Sequence, residues 1–368
     1  MNSKKGVVEV QFNWVFVIIA GSIIFLFFGS LAMDYRRSAE RELSAEILHE
    51  LGSLTSSSLH SDYTAQEVEF GGIELSVSCN PDDCNQYGCT QEFDFAEIGI
   101  TSPSWMALEP VFSARNIESN YIIIWSLPYH MPYKIGNFLF LTDPEHKYYF
   151  VYDEDDDNSL VFAESVYNRF SQNRFAESEL VEKGDLPDID YEGELRIRFV
   201  FFFDDSLGDD EQPENDVLKW SDILFVNMSS TDYIYGNVRY SKLSGDGKLV
   251  PDPDSKYPYI GESMLIGAIY SYNVEDYKCN VRKTMLKSLN LNQIYYDKMK
   301  NMYDICEESG SPCKGCEIIY SSAMDEIKDI NNTITPDYDF DLESLYEHTE
   351  ELKDLNDGAR RHNCPRIY

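Results

Sequence analysis

WVFVIIAGSIIFLFFGSLAM, residues 14–33, carries no charge over its whole length. At about 1.5 Å per residue, a helix of this length covers roughly 30 Å, the thickness of a bilayer's hydrocarbon core. It is apolar on every side, where a core helix of a soluble domain would keep a polar stripe. Trp14 stands at one edge and Tyr35 just beyond the other, positions where amphipathic rings favour the interface. The competing reading is a cleaved secretory signal, whose apolar stretch runs only about 7–15 residues before a small-residue cleavage site. Here the stretch is longer and Tyr35-Arg36-Arg37 follows it. The sequence therefore predicts a retained single-pass helix that meets the lipid bilayer through residues 14–33.

Outward from the span, residues 34–58 place Leu43, Ile47, Leu48, Leu51 and Leu54 on one face, the spacing of an amphipathic helix. Nothing breaks it from the span, so one long helix is expected, ending near Gly52 and the serines 56–58. The pattern then changes. VEFGGIELSVSC (68–79), NYIIIWSL (120–127), KIGNFLFLT (134–142), HKYYFVYD (146–153), ELRIRFVFFFDD (194–205), DILFVNMS (222–229) and YIYGNVRYS (233–241) are strand-like runs between turn residues. Continuous apolar stretches at 121–125 and 199–203 predict central strands covered on both faces. One helix, 160–175, interrupts the series, and loops are expected at 205–216 and 244–258, where Gly, Pro and Asp cluster. From 262 a proline-free helical period runs for some forty positions, and shorter helices follow at about 317–330 and 340–358. Strands followed by helices predict an α+β fold with a central, mainly antiparallel sheet. Four stretches result: a basic leader (1–11), span plus stalk (12–58), a β-rich ectodomain (59–261) and a helical region packed on it (262–368).

The formal charge is −35, from 65 acidic against 30 basic residues. Such a surface repels phosphate backbones, which argues against nucleic acid as a partner. With 43% apolar and 14% aromatic residues the chain can still bury a sizeable core. Lys4 and Lys5 before the span balance Arg36, Arg37 and Arg41 after it, so the positive-inside count does not choose an orientation. Cysteine usage does. Eight cysteines, Cys79, Cys84, Cys89, Cys279, Cys306, Cys313, Cys316 and Cys364, suit disulfides in an oxidising compartment. Two sequons, at Asn227 and Asn331, point the same way. The expectation is a cytoplasmic N-terminus and an extracytoplasmic body in the cell membrane.

The opening MNSKKGVVEVQFNWVFVIIAG, with Lys5-Gly6-Val7-Val8 as its junction, resembles the class III signal peptides of type IV pilins and related archaeal surface proteins. That resemblance implies cleavage after Gly6, with Lys5, Gly6 and Val7 as the processing residues. Glu9 would then stand third in the mature chain, where pilins place their glutamate fifth. The QFNWVFVIIAG start, YKCN helix and CPRIY end also resemble a set of archaeal single-span membrane proteins that carry no assigned activity.

Within the body, DEDDDNSLVFAE (153–164) has the ligand spacing of a calcium loop, with Asp153, Asp155, Asp157, the Ser159 carbonyl and Glu164 as oxygen donors. Asn158 stands where such loops keep glycine, and the competing reading is a solvated acidic loop. Cys313-Lys-Gly-Cys316 admits a disulfide, a redox or a zinc reading. A pairing of Cys279 with Cys364 is the connectivity expected, tying the tail to the long helix. His49, His60, His130, His146, His348 and His362 are scattered, and no GxSxG, GxxxxGK[ST], HExxH or GxGxxG occurs. The chain therefore reads as a structural, adhesive or assembly component that binds itself or other surface proteins. A membrane-anchored metal-dependent hydrolase or a calcium-binding module is the alternative.

Overall fold

The computed structural model describes residues 14–35, 38, 60–69, 74–85, 87–95, 100–103, 108–114, 116–191, 196–203, 207, 212–213, 215–228, 235–243, 249–308, 310–334 and 340–368. Lys5, Gly6, Val7 and the stalk at 39–59 lie outside them. The first described element, α1 (Trp14–Tyr35), is 22 residues long, apolar enough to cross a membrane, and buries none of its apolar stretch against the rest of the protein.

Strands come next: β1 (Ala65–Glu69), β2 (Leu75–Cys79), β3 (Gln91–Phe95), β4 (Ile100–Pro103), β5 (Val111–Ser113), β6 (Asn116–Ile117), β7 (Tyr121–His130), β8 (Lys134–Thr142) and β9 (His146–Tyr152). Helix α2 (Asp157–Phe170) leads to β10 (Glu177–Glu182) and β11 (Arg196–Phe201), and α3 (Asn215–Trp220) leads to β12 (Asp222–Met228), β13 (Tyr235–Leu243) and β14 (Leu249–Ile260). The chain closes with α4 (Glu262–Tyr270), α5 (Val274–Glu307), α6 (Glu317–Thr333) and α7 (Leu342–Arg361).

Three sheets result, ordered β1-β7-β8-β5, β10-β9-β11-β12-β13-β14 and β4-β3-β2-β6. Period-two alternation assigns each face. In β7 and β8, Ile122, Ile124, Leu139 and Leu141 turn toward Leu75, Val77 and Phe93 of the small sheet. Trp125, Leu127, Tyr129, Phe138 and Phe140 turn the other way, into the main core. In the six-stranded sheet Tyr148, Phe150, Val200 and Leu224 enter that same main core, while Tyr149, Phe199, Phe201 and Phe225 form a third cluster behind it. Both inner sheets are thus covered on both faces, which is why the runs at 121–125 and 199–203 carry no polar alternation.

The mainly antiparallel expectation holds only in part, because the sheets are mixed. β9, β10, β11 and β12 run parallel, as do β5 and β8. Parallel neighbours need a crossover, and α2 and α3 provide two of them. α2 starts and ends earlier than the periodicity suggests, because the Asp156 side chain accepts the Asn158 amide and so caps the helix. The forty-position helix is two helices. The Asn273 side chain accepts the Asp276 amide at 2.8 Å, starting α5 afresh after α4 ends at Tyr270. The loop expected at 244–258 is mostly strand: β14 pairs with β13, and its prolines 251, 253 and 258 are accommodated because β14 is the sheet's edge.

At 34 residues α5 is about 51 Å long. Its first half buries Tyr277, Cys279, Val281 and Met285 against the sheets. Farther along, α6 packs on α5 and α7 on α6, through Tyr320, Ala323, Ile327 and Ile330 of α6 and Leu345, Thr349 and Leu352 of α7.

Candidate functional site

The cysteines form four disulfides, Cys79–Cys279, Cys84–Cys89, Cys306–Cys313 and Cys316–Cys364, and none is free. The expected Cys279–Cys364 bond is therefore wrong. Cys279 lies on the buried half of α5 facing β2, so its neighbour is Cys79. Cys364 folds back onto the start of α6 instead. The tail is indeed tied, but to α6. Tyr320 Oη donates to the Pro365 carbonyl at 2.8 Å, Lys298 to the Ile367 carbonyl at 2.7 Å, and Asn356 Oδ1 accepts the Ile367 amide at 3.0 Å. Cys313 and Cys316 belong to different bridges, so the CxxC is neither a redox pair nor half of a zinc site in this state.

The structure does not gather the acidic loop into a calcium cage. Asp157 already begins α2, so the ligand spacing is wound into a helix, and Ser159 is buried with its hydroxyl accepting the Asp153 amide at 2.9 Å. The Asp153 carboxylate pairs with Lys183 at 2.8 Å. Among the described residues no three carboxylates of 153–164 bring oxygens within 4.8 Å of one another. Of the sequons, Asn227 is exposed on β12, whereas Asn331 sits on α6 with its Oδ1 accepting from Asn292 at 2.7 Å. His146 Nδ1 donates to the buried Asp143 carboxylate at 2.7 Å. That carboxylate also takes the Glu118 and Glu145 amides and Arg196, which makes the group a saturated turn anchor.

A pocket between β12 and β13 is lined by Phe203, Phe225, Asn227, Asn237, Arg239 and Lys256, with Val238 beneath. Among the described residues its lining holds no carboxylate, and Arg239 and Lys256 give it cationic character. No family model, curated protein or solved structure matches the chain.

Two groupings of ligand-type side chains converge among the described residues. The first is sulfur: Sγ of Cys84, Cys89 and Cys279 lie within 4.8 Å of one another, so two disulfides are neighbours. The second joins Glu326 of α6 with His348 and Glu351 of α7, their donor atoms also within 4.8 Å. Asp341 caps α7 by accepting the Ser344 amide at 2.8 Å. Three residues apart, His348 and Glu351 share a face. Both flank the apolar seam of Leu345 and Leu352, as Glu326 flanks Ile327 across it. Glu326 Oε2 lies 2.9 Å from His348 Nδ1. Burial pushes the Glu326 carboxyl above its ordinary value; the His348 hydrogen bond opposes this and nearby Glu351 adds to it. In the sequence His348 counts among scattered histidines, and its three-residue spacing to Glu351 is the signal that would have paired them. Nothing in the sequence announced that Glu326 would face it, because the register between two packed helices is set by their apolar seams.

A buried polar seam also joins α5 to the small sheet and to β5 of the sheet beside it. Asp276 accepts the Cys79 amide at 2.9 Å and Asn280 Oδ1 the Val111 amide at 2.9 Å, while Lys283 donates to Gln91 Oε1. Burial raises the Asp276 carboxyl to about 6 and lowers the Lys283 ammonium to about 7. Each of these groups is spent on backbone or amide partners that fasten β2, β3 and β5 to the helix. Their role is attachment.

Proposed function

We propose that this chain is a single-pass membrane protein whose acidic body lies outside the cytoplasm and serves a structural, adhesive or assembly role. The observation that carries the placement is that all eight cysteines are bridged, in a chain that begins with a helix apolar enough to cross a bilayer. Disulfides persist in oxidising compartments and are rare where thiols are kept reduced. With the body outside, the short N-terminal segment faces the cytoplasm. Aromatic sheets covered on both faces give a rigid body, which suits contact with other surface proteins or with further copies of itself. The alternative of an anchored hydrolase gains no support from the β12–β13 pocket, where the described lining sets no carboxylate beside Lys256.

Protease treatment of intact cells, with thiol counting on protein alkylated before lysis, tests this. The body is expected to be cut from outside and to show no alkylatable cysteine. Eight reactive thiols, or protection until lysis, overturns the placement. Processing after Gly6 is read from the mature N-terminus by mass spectrometry, and an intact Met1 or Asn2 rejects the pilin-like leader.

A further inference from the structure

We propose that Glu326, His348 and Glu351 bind a divalent transition-metal ion, zinc in the first instance, at the α6–α7 seam. Donor atoms around a tetrahedral zinc with bonds of about 2.0–2.1 Å lie roughly 3.3 Å apart. The Glu326–His348 separation of 2.9 Å and the 4.8 Å limit on the whole trio fit that shell with small side-chain adjustments.

The charge arrangement favours the same occupant. Two carboxylates converge beside one imidazole, Glu326 on His348 and Glu351 on Glu326, and the lysines on these helices are engaged elsewhere: Lys328 with Asp325 at 2.8 Å and Lys353 with Glu350 at 2.9 Å. Arg360 reaches Asp357 at 3.7 Å. A divalent cation offsets both carboxylates at once. One imidazole in the donor set favours a borderline metal over calcium or magnesium, which take oxygen shells.

The scaffold holds the donors in place before any metal arrives. Cys316–Cys364 fastens the start of α6, the Asp341 cap fixes the start of α7, and Asn356 grips the tail. Coordination through Nδ1 needs the tautomer protonated at Nε2. The hydrogen between His348 and Glu326 is then given up, and both groups bond the metal instead. Exposed Glu351 leaves an entry path, and the remaining coordination positions fall to water. Three protein donors with open positions are the arrangement of a site that can bind a further ligand on the metal.

The test uses the full chain in detergent micelles, stripped with chelator and dialysed against zinc chloride in excess calcium, which occupies the general acidic surface. One zinc per chain is expected. H348Q and E351Q should each weaken it by at least about 10-fold, while E350Q, a neighbouring carboxylate outside the trio, leaves it unchanged. Cobalt substituted for zinc should show visible d–d bands that H348Q abolishes. Far-UV circular dichroism and metal-free melting report whether each variant is folded. Exposed Glu351 supplies a second probe should H348Q fold poorly. No stoichiometric zinc, equal losses in E350Q and H348Q, or displacement by calcium overturns the proposal.

Discussion

Removing the Cys79–Cys279 bond should destabilise this protein more than removing any other disulfide, and the chain connectivity sets by how much. A cross-link stabilises chiefly by restricting the unfolded chain, and its worth grows with the logarithm of the loop it closes. The four bonds close loops of 200, 48, 7 and 5 residues. In order, these correspond to about 5, 4, 2 and 2 kcal/mol at 25 °C. The contrast between the first and last is about 3 kcal/mol, large enough to survive the strain and residual structure that blur such values. Cysteines should be replaced in pairs. The sulfurs of Cys84, Cys89 and Cys279 lie within 4.8 Å of one another, so a lone thiol left by a single substitution would attack the neighbouring bond. The assay is equilibrium unfolding in guanidinium of C79A/C279A, C316A/C364A, C306A/C313A and C84A/C89A, followed by far-UV circular dichroism. A C79A/C279A midpoint that falls no further than that of C84A/C89A refutes the loop-length reasoning.

Three further outcomes follow from the core and its seams. Gly267 lies in α4 against Phe112, and a Cβ there would meet two ring atoms at 2.8 Å. Because that ring is fully buried, G267A should cost about 1–3 kcal/mol, read as a lower unfolding midpoint. Lys283 has its folded value lowered to about 7 from 10.5, so between those values the unfolded chain binds the extra proton. Stability should rise with pH from about 7.5 to 9, this group alone giving up to about 1.4 kcal/mol per pH unit, and K283M should lose that rise in melts across the same range. N273A removes the side chain that starts α5 and should cost about 1 kcal/mol, with N273G costing only a few tenths.

The physical reasons for what could be read in advance are local ones. Apolar length marks α1, and continuous hydrophobic runs mark β7 and β11, because burial on both faces erases alternation. The parallel arrangement of β9, β10, β11 and β12 was not legible, since a parallel strand has the same composition as an antiparallel one buried on both faces. β10 in particular is ESELVE, with three glutamates, and resembles a loop until it is seen at a sheet edge. The break between α4 and α5 turns on one asparagine hydrogen bond inside an unbroken helical period. Disulfide partners depend on which face of α5 meets β2, a tertiary fact. The Glu326–His348–Glu351 trio was not legible, because His348 stands among scattered histidines and its donors meet only when α6 packs on α7. The calcium spacing at 153–164 misled because the same residues that suit a wrapped cation also make good caps and first-turn positions for a helix.

The bond from β2 to α5 also bears on the order in which the chain is made. Growing from the N-terminus, the polypeptide exposes Cys79, Cys84 and Cys89 long before Cys279 exists. At about 5–20 residues per second the wait across those 200 positions is roughly 10–40 s. Three early thiols cannot all be matched with one another, so one must stay reduced, or pair wrongly and be released, until its distant partner emerges. Biogenesis of this protein therefore depends either on sparing one thiol from oxidation during that wait or on reshuffling the bond it makes too early.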